Sequence, residues 1–371
     1  MVAAELKSSV QTSAATALVP SHSNSKGIKL DPSRLLSADQ KRIDFGRLDA
    51  LAGQSVLGAR QFDRQTVIEL CKFAALLELT EIASHHPLDG KLVITAFFEA
   101  STRTRLSFES AVLRLDGKIV SVPDGRVTGI AKGESLEDIG EMFNTYGDLV
   151  VLRHPETDSI ERIRRNLQIP LVNAGNGSGE HPTQALLDWY TILKWRPALM
   201  LPQPREESRI HLGIIGTPGS MRAVKSFVLL ALNFPNAIKR ITVISEMVDP
   251  LGDLLTSAVG DASISVDSTN DINDLISELD VVYMNSIAFL GESYKTLDSR
   301  YKLHNDSPLK DDAVILHPFA RRDELNVGLD ATAHNLYFAQ AASAVFLRQA
   351  LLIALLGRVP SLPPSIHLLT T

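Results

Sequence analysis

Only one cysteine, Cys71, occurs in 371 residues, so no disulfide can close within the chain. Its neighbours Leu70 and Phe73 mark it as a buried core thiol. No Cys/His cluster has the spacing of a zinc site, and no metal or cofactor is expected. Positive charge is in deficit: 37 Lys and Arg stand against 43 Asp and Glu, a formal net charge of −6. That balance argues against nucleic acid or an anionic membrane as partner, because either needs a basic face. A small anion remains compatible, since a few local arginines can dominate one pocket. No run of about 18 consecutive apolar residues is present, so no membrane span is expected. The start lacks the charged-then-apolar pattern of a secretory signal. No arginine precedes Arg34, which weakens any organelle address. A soluble, reducing, cytoplasmic setting is the expectation.

What is present is a two-lobed α/β pattern. A chain of this length is expected to form two domains of roughly 100–200 residues each. With 44% hydrophobic residues, each half can bury a core of its own. Residues 1–45 are rich in Ser, Ala, Thr and Lys and read as a flexible tail. From Asp63, a good N-cap, Val67, Leu70, Phe73, Ala74 and Leu77 recur at helical spacing. Lys91–Phe98 reads as a buried strand that runs into a turn and a second helix. Strand-like segments follow at 118–122, 148–153 and 171–173, with helices at 134–146 and 181–194. Prolines and charges between Trp195 and Glu207 mark the boundary between lobes. Strands at 209–215, 240–245, 281–284 and 313–316, with a helix at 220–232, restart the alternation. Such alternation predicts doubly wound domains with parallel sheets. The domain assignment is 46–190 and 191–338. A strongly apolar helix near 339–360 is expected to return to the first domain.

The segment Phe97-Phe98-Glu99-Ala100-Ser101-Thr102-Arg103-Thr104-Arg105-Leu106-Ser107-Phe108-Glu109 carries the most chemistry. It sets hydroxyls and a guanidinium at the start of a helix, where backbone N–H groups are free and the helix dipole is positive. That combination suits a dianion such as a phosphate group. An ordinary Ser/Thr cap with solvated arginines would use the same residue types.

The full string resembles the phosphate-binding signature of the aspartate/ornithine carbamoyltransferase family, most closely its aspartate branch. Val151-Leu152-Arg153-His154-Pro155, Lys132-Gly133-Glu134-Ser135, Asn173 through Gln184, and Leu316-His317-Pro318 continue the resemblance in the family's order. It covers about residues 57–357. The resemblance implies transfer of a carbamoyl group from carbamoyl phosphate to an amine, without metal, cofactor or covalent intermediate. It assigns Ser101, Thr102, Arg103 and Thr104 to the phosphate, and Thr104, Arg153 and His181 to the carbamoyl oxygen. Gln184 would hold the carbamoyl nitrogen, while Arg105 would be structural. Arg222 would hold an acceptor carboxylate, and Pro318 and Phe319 would line the acceptor side. Lys132, with Thr128 in the same loop, would reach a neighbouring active site. That implies an oligomer, and the family's usual unit is a homotrimer with shared sites. A place in pyrimidine biosynthesis follows for the aspartate branch.

The acceptor side departs from this pattern. Where aspartate carbamoyltransferases continue a strand ending in Tyr-Met with Thr-Arg-x-Gln, this chain reads Tyr283-Met284-Asn285-Ser286-Ile287-Ala288. A second arginine normally found nearby falls at about Gly291, and the hinge has become Pro318-Phe319-Ala320-Arg321. A buried carboxylate without its arginine is costly, by several kcal/mol. The donor half is therefore expected to be intact and the acceptor altered or gripped differently, with Phe289 and Phe319 making that pocket more apolar. Aspartate remains the leading named acceptor. The competing reading is a non-catalytic homologue that serves as a partner or regulatory subunit. A third reading, NAD binding at Gly213-Ile214-Ile215-Gly216-Thr217-Pro218-Gly219 with Glu246 as the ribose acid, fails on spacing: the segment is not G-x-G-x-x-G, and Pro218 sits in the turn.

Overall fold

The computed structural model of the chain describes residues 27–39, 41–80, 85–285, 299–364 and 366. The first 26 residues of the expected tail, together with Ser286, Ala288, Phe289 and Gly291, lie outside these. The described part of that tail is packed. Ile28 N–H donates to the Asn335 carbonyl at 3.0 Å, Leu35 is fully buried, and Ile43 joins the same core. The composition of residues 27–45 hid three apolar anchors among polar neighbours.

The first lobe begins with α1 (Arg64–Leu79), capped by Asp63, whose side chain accepts from Thr66 N at 2.7 Å. Then follow β1 (Leu92–Phe97), α2 (Thr102–Arg114), β2 (Lys118–Val122), α3 (Leu136–Tyr146), β3 (Leu149–His154), α4 (Ser159–Arg164), β4 (Leu171–Asn176) and α5 (Pro182–Trp195). The second lobe contains β5 (Ile210–Ile215), α6 (Arg222–Ala231), β6 (Ile238–Ile244), α7 (Gly252–Gly260), β7 (Ser265–Thr269), β8 (Val281–Met284) and β9 (Val314–Leu316). The C-terminal helix α8 (Tyr337–Leu355) packs on α1, α2 and α5 of the first lobe. By length and composition α8 could cross a membrane, which the sequence reading did not anticipate. Here the first-lobe helices cover it.

Both sheets are parallel throughout, in the orders β2-β1-β3-β4 and β7-β6-β5-β8-β9. Helices on both faces explain why β3, β4, β5 and β8 are largely apolar and almost wholly buried. The edge strands β2 and β7 are half exposed. For β7 this removed the apolar run that would have announced it in the sequence. The lobes do not keep separate interiors. The largest apolar core runs through both, and two smaller cores serve one lobe each. Trp189 of α5 stacks on Phe234 of the second lobe at 4.0 Å and 8°, sealing the seam. Cys71 is fully buried, as expected, and burial pushes its thiol far up.

In such sheets the chain opens a crevice where strand order reverses, at the carboxyl ends of the strands. In the first sheet this lies between β1 and β3, and in the second between β5 and β8. The turn after β1, Arg153 near the end of β3, and Arg222 after β5 fall at these two places.

Candidate functional site

The turn after β1 delivers Glu99 through Thr104. Ser101 precedes α2, but its hydroxyl does not cap the helix, and no acidic residue lies in the first turn. The first-turn amides therefore stay available to an anion, with the helix dipole behind them. Thr104 is buried, while the Arg103 guanidinium lies 5.4 Å from the Phe319 ring of the second lobe. Partial burial lowers the Arg103 pKa.

Phe97, the last residue of β1, is paired in register with Arg153 near the end of β3. That pairing sets Arg153 beside the turn. Its Nη2 donates to Glu99 Oε1 at 2.7 Å, and Nη1 approaches the Ala174 carbonyl at 3.5 Å. Arg222, at the start of α6, reaches across from the second lobe. Its Nη1 donates to Glu99 Oε2 at 2.8 Å and to the Gly177 carbonyl at 3.1 Å, and Nη2 donates to Glu99 Oε1 at 2.5 Å. Burial and the neighbouring Arg222 charge depress Arg153 to about 10. Burial pushes Glu99 up, but Arg222 and Arg153 outweigh it and hold the carboxyl below its usual range. Gly175 makes room for both guanidiniums. At φ +115° it adopts a conformation side chains avoid, and a Cβ there would lie 3.1 Å from Arg222 Nε and 3.3 Å from Arg153 Nη1.

His181 ends the loop before α5. Its Nε2 faces the Thr104 hydroxyl at 3.5 Å, and its backbone N–H donates to Ser226 Oγ of α6 at 2.9 Å. Burial, then the Arg153, Arg222 and Arg348 charges, lowers its pKa well below the ordinary value, so the imidazole is neutral. One turn into α5, Gln184 Nε2 donates to Asp188 Oδ1 at 2.7 Å. Arg103, Arg153, His181 and Arg222 thus form one electrostatically coupled cluster.

A family model described as aspartate/ornithine carbamoyltransferase, carbamoyl-P binding domain, matches residues 54–194. The chloroplastic aspartate carbamoyltransferase of Oryza sativa subsp. japonica is 33% identical, over 89% of this chain and 94% of its own length. The aspartate carbamoyltransferase catalytic subunit of Picrophilus torridus is 36% identical over 73% and 86%. This chain belongs to the aspartate/ornithine carbamoyltransferase family. A crystal structure of aspartate transcarbamoylase from Trypanosoma cruzi, in complex with carbamoyl aspartate and phosphate, superposes with a TM-score of 0.73 at 28% identity. The match covers 83% of this chain and 98% of that one.

Other residues singled out on the carbamoyltransferase pattern sit apart from the cluster. Lys132 is exposed on a short 3-10 turn, Gly129–Lys132, and makes no hydrogen bond or ion pair among the described residues. Thr128 caps that turn, accepting from Ile130 N and donating to the Gly125 carbonyl, so its hydroxyl is already in use. Phe319, beside Pro318, has φ 61° and stacks on Phe338 at 5.7 Å. His317 is buried, and its Nδ1 accepts from Phe319 N at 2.8 Å. Among the described residues no group of three His, Cys, Asp or Glu side chains could hold a metal ion. Sequence reasoning quoted Glu99 in the motif but gave it no role, and it missed Asp188, Ser226 and the buried Arg348. The i, i+4 spacing of Gln184 with Asp188 and of Arg222 with Ser226 was the available signal.

Proposed function

We propose that this chain transfers the carbamoyl group of carbamoyl phosphate to the amino group of aspartate or a related amino acid. The observation that carries the reading is the meeting of Thr104, Arg153 and neutral His181 beside a helix start whose amides are uncapped. Ser101, Thr102, Arg103 and the α2 amides hold the phosphate. The carbamoyl oxygen lies toward Arg153, His181 and Thr104. An uncharged amine attacks the carbonyl carbon, a C–N bond forms, and negative charge grows on that oxygen. Donors already fixed by Glu99 and Ala174 stabilise it without reorganising. The bond from that carbon to the bridging phosphate oxygen then breaks, and the departing phosphate takes the amine proton. Positioning and preorganised charge supply the acceleration.

The acceptor assignment leans on the relatives named aspartate carbamoyltransferase and on Arg222, whose guanidinium must give up part of its pairing with Glu99 to hold one carboxylate. Ser286 and Ala288, where the aspartate branch has Arg and Gln, favour a looser or different grip on the second carboxylate.

The active unit in this reading is a homotrimer. Leu106, Leu113, Val120, Val127, Met142 and Tyr146 are exposed apolar side chains of the first lobe, more than a monomer gains from leaving in water. Of these, Leu106 and Leu113 lie on α2, which packs on the edge strand β2, Val120 lies on β2 itself, and Val127 lies just before the Lys132 turn, which suits covering by a second copy that receives Lys132.

The test is a panel assay with carbamoyl phosphate and a range of amino acids, measuring ureido product and phosphate. Arg103→Ala is expected to abolish donor binding, and Ser286→Arg to shift acceptor choice toward aspartate. Donor binding with no product from any amine would replace this reading with the non-catalytic partner. Failure to bind carbamoyl phosphate would remove both.

A further inference from the structure

Behind Gln184 lies a carboxylate that no step above uses. Asp188 is fully buried on α5. Its Oδ1 accepts from Gln184 Nε2 at 2.7 Å and from Gln340 Nε2 at 2.6 Å, and its Oδ2 accepts from Tyr283 OH at 2.7 Å. These three donors come from three separate pieces of the fold. Gln184 belongs to the first-lobe helix α5. Tyr283 is near the end of β8, two residues before Asn285. Gln340 lies in the first turn of α8, and its Oε1 accepts the His317 backbone N–H at 2.9 Å, one residue before Pro318-Phe319.

We infer that Asp188 is a positioning residue that fixes which end of the Gln184 amide faces the donor, and that anchors the two acceptor-side segments to the same point. With two N–H donors on it, Oδ1 acts as an acceptor whether or not Oδ2, on the Tyr283 side, carries a proton. It therefore turns the NH2 groups of both glutamines toward itself. Gln184 must present Oε1, an acceptor, toward the carbamoyl site, where it reads the NH2 of the donor. Gln340 must present its own Oε1 to the His317 N–H, which fixes the start of the Pro318-Phe319 hinge. Tyr283, stacked on Phe227 at 4.2 Å and 19°, fixes the start of the segment after β8. One carboxylate thus sets both donor recognition and the entry points of the acceptor pocket. A positive charge that acts on it is Arg348, fully buried on α8 and 4.5 Å from the Phe108 ring.

This inference rests on the donor being carbamoyl phosphate, and its test separates the two. Binding of inorganic phosphate, carbamoyl phosphate and acetyl phosphate is measured by calorimetry on the full-length protein. Acetyl phosphate has a methyl where carbamoyl phosphate has NH2. If the wild-type protein shows no preference for carbamoyl over acetyl phosphate, the donor assignment itself fails. Given that preference, Asp188→Ala is expected to bind inorganic phosphate and acetyl phosphate as wild type does. It should lose roughly tenfold in affinity for carbamoyl phosphate, the worth of one unsatisfied buried hydrogen bond. Asp188→Asn keeps an acceptor oxygen for Gln184 and is expected to restore the preference. Where the alanine protein no longer binds phosphate, Asp188→Leu, which fills the volume without an acceptor, is read in its place. Equal loss of all three ligands in a folded variant, or an unchanged carbamoyl preference, would overturn the role.

Discussion

Arg222 and Glu99 join the two lobes through a two-pronged ion pair, Nη1 to Oε2 at 2.8 Å and Nη2 to Oε1 at 2.5 Å. Because Glu99 also accepts from Arg153, it is shared by one guanidinium from each lobe, and the trio keeps a net positive charge. Paired charges of this kind are costly to break from one side. Glu99→Gln is expected to lower kcat/KM by at least about tenfold, as the second lobe loses its grip on the first. Inorganic phosphate should bind as tightly or tighter, since a negative charge beside Arg153 is removed. Steady-state kinetics beside phosphate calorimetry check this. Equal weakening of both would show that Glu99 serves only the fold.

Gly175 lies against the same two guanidiniums. Gly175→Ala forces a side chain into φ +115° and within 3.1 Å of Arg222 Nε. The expected cost is about 1–3 kcal/mol in stability. Turnover should fall further than donor binding, because Arg153 and Arg222 must both move. Denaturation midpoints and kcat, measured on the same preparation, test this; an unaltered kcat would mean the arginines tolerate the shift.

His181 is held neutral by burial and by three nearby arginines. Its folded pKa lies below the unfolded value, so its neutral burial contributes stability above pH 6.5. That contribution is lost as pH falls below the unfolded value. The ring resonances of His181 are expected to stay at neutral-imidazole shifts from pH 8 to below pH 6. A titration near 6.5 would contradict the buried, cation-lined setting.

Asp188 has the opposite sign. Burial raises its carboxyl from 3.8 to about 7, against the pull of Tyr283, Gln340, Gln184 and Arg348. A raised acid binds its proton in the folded state first. Its contribution is therefore full below the unfolded pKa and is lost as pH rises through about 7. Asp188→Asn does not titrate. Relative to wild type it is expected to gain roughly 2–3 kcal/mol between pH 5 and pH 8. Denaturant midpoints at the two pH values measure this, and a pH-independent difference would place the carboxyl pKa near its ordinary value.

Much of this was readable in the chain because parallel strands buried on both faces leave unbroken apolar runs. Val281–Met284 coincides with its expected limits, as does the half-exposed Lys118–Val122, and most other strands differ by a residue or two at the ends. The turn from Ser101 to Arg105 was visible because hydroxyls and guanidiniums crowd a helix start. What escaped was of two kinds. The edge strand Ser265–Thr269 faces water on half its surface and so carries no apolar signature. Glu99, Asp188, Ser226 and Arg348 act by meeting residues far away in the chain. Arg348 in particular looks like a single charge on an apolar helix until α8 is laid against α2 and Phe108 meets its guanidinium. Only Asp188 and Ser226 had a local signal, the i, i+4 spacing to Gln184 and Arg222.

The return of α8 to the first lobe has a consequence for biosynthesis. The lobe that leaves the ribosome first is the one finished last. Its helices Arg64–Leu79, Thr102–Arg114 and Pro182–Trp195 lack their common neighbour until Tyr337–Leu355 has been made. The 141 residues between Trp195 and Tyr337 must be made before that neighbour arrives. Nascent chains ending before Tyr337 should therefore expose an apolar groove and become clients for chaperones or proteases.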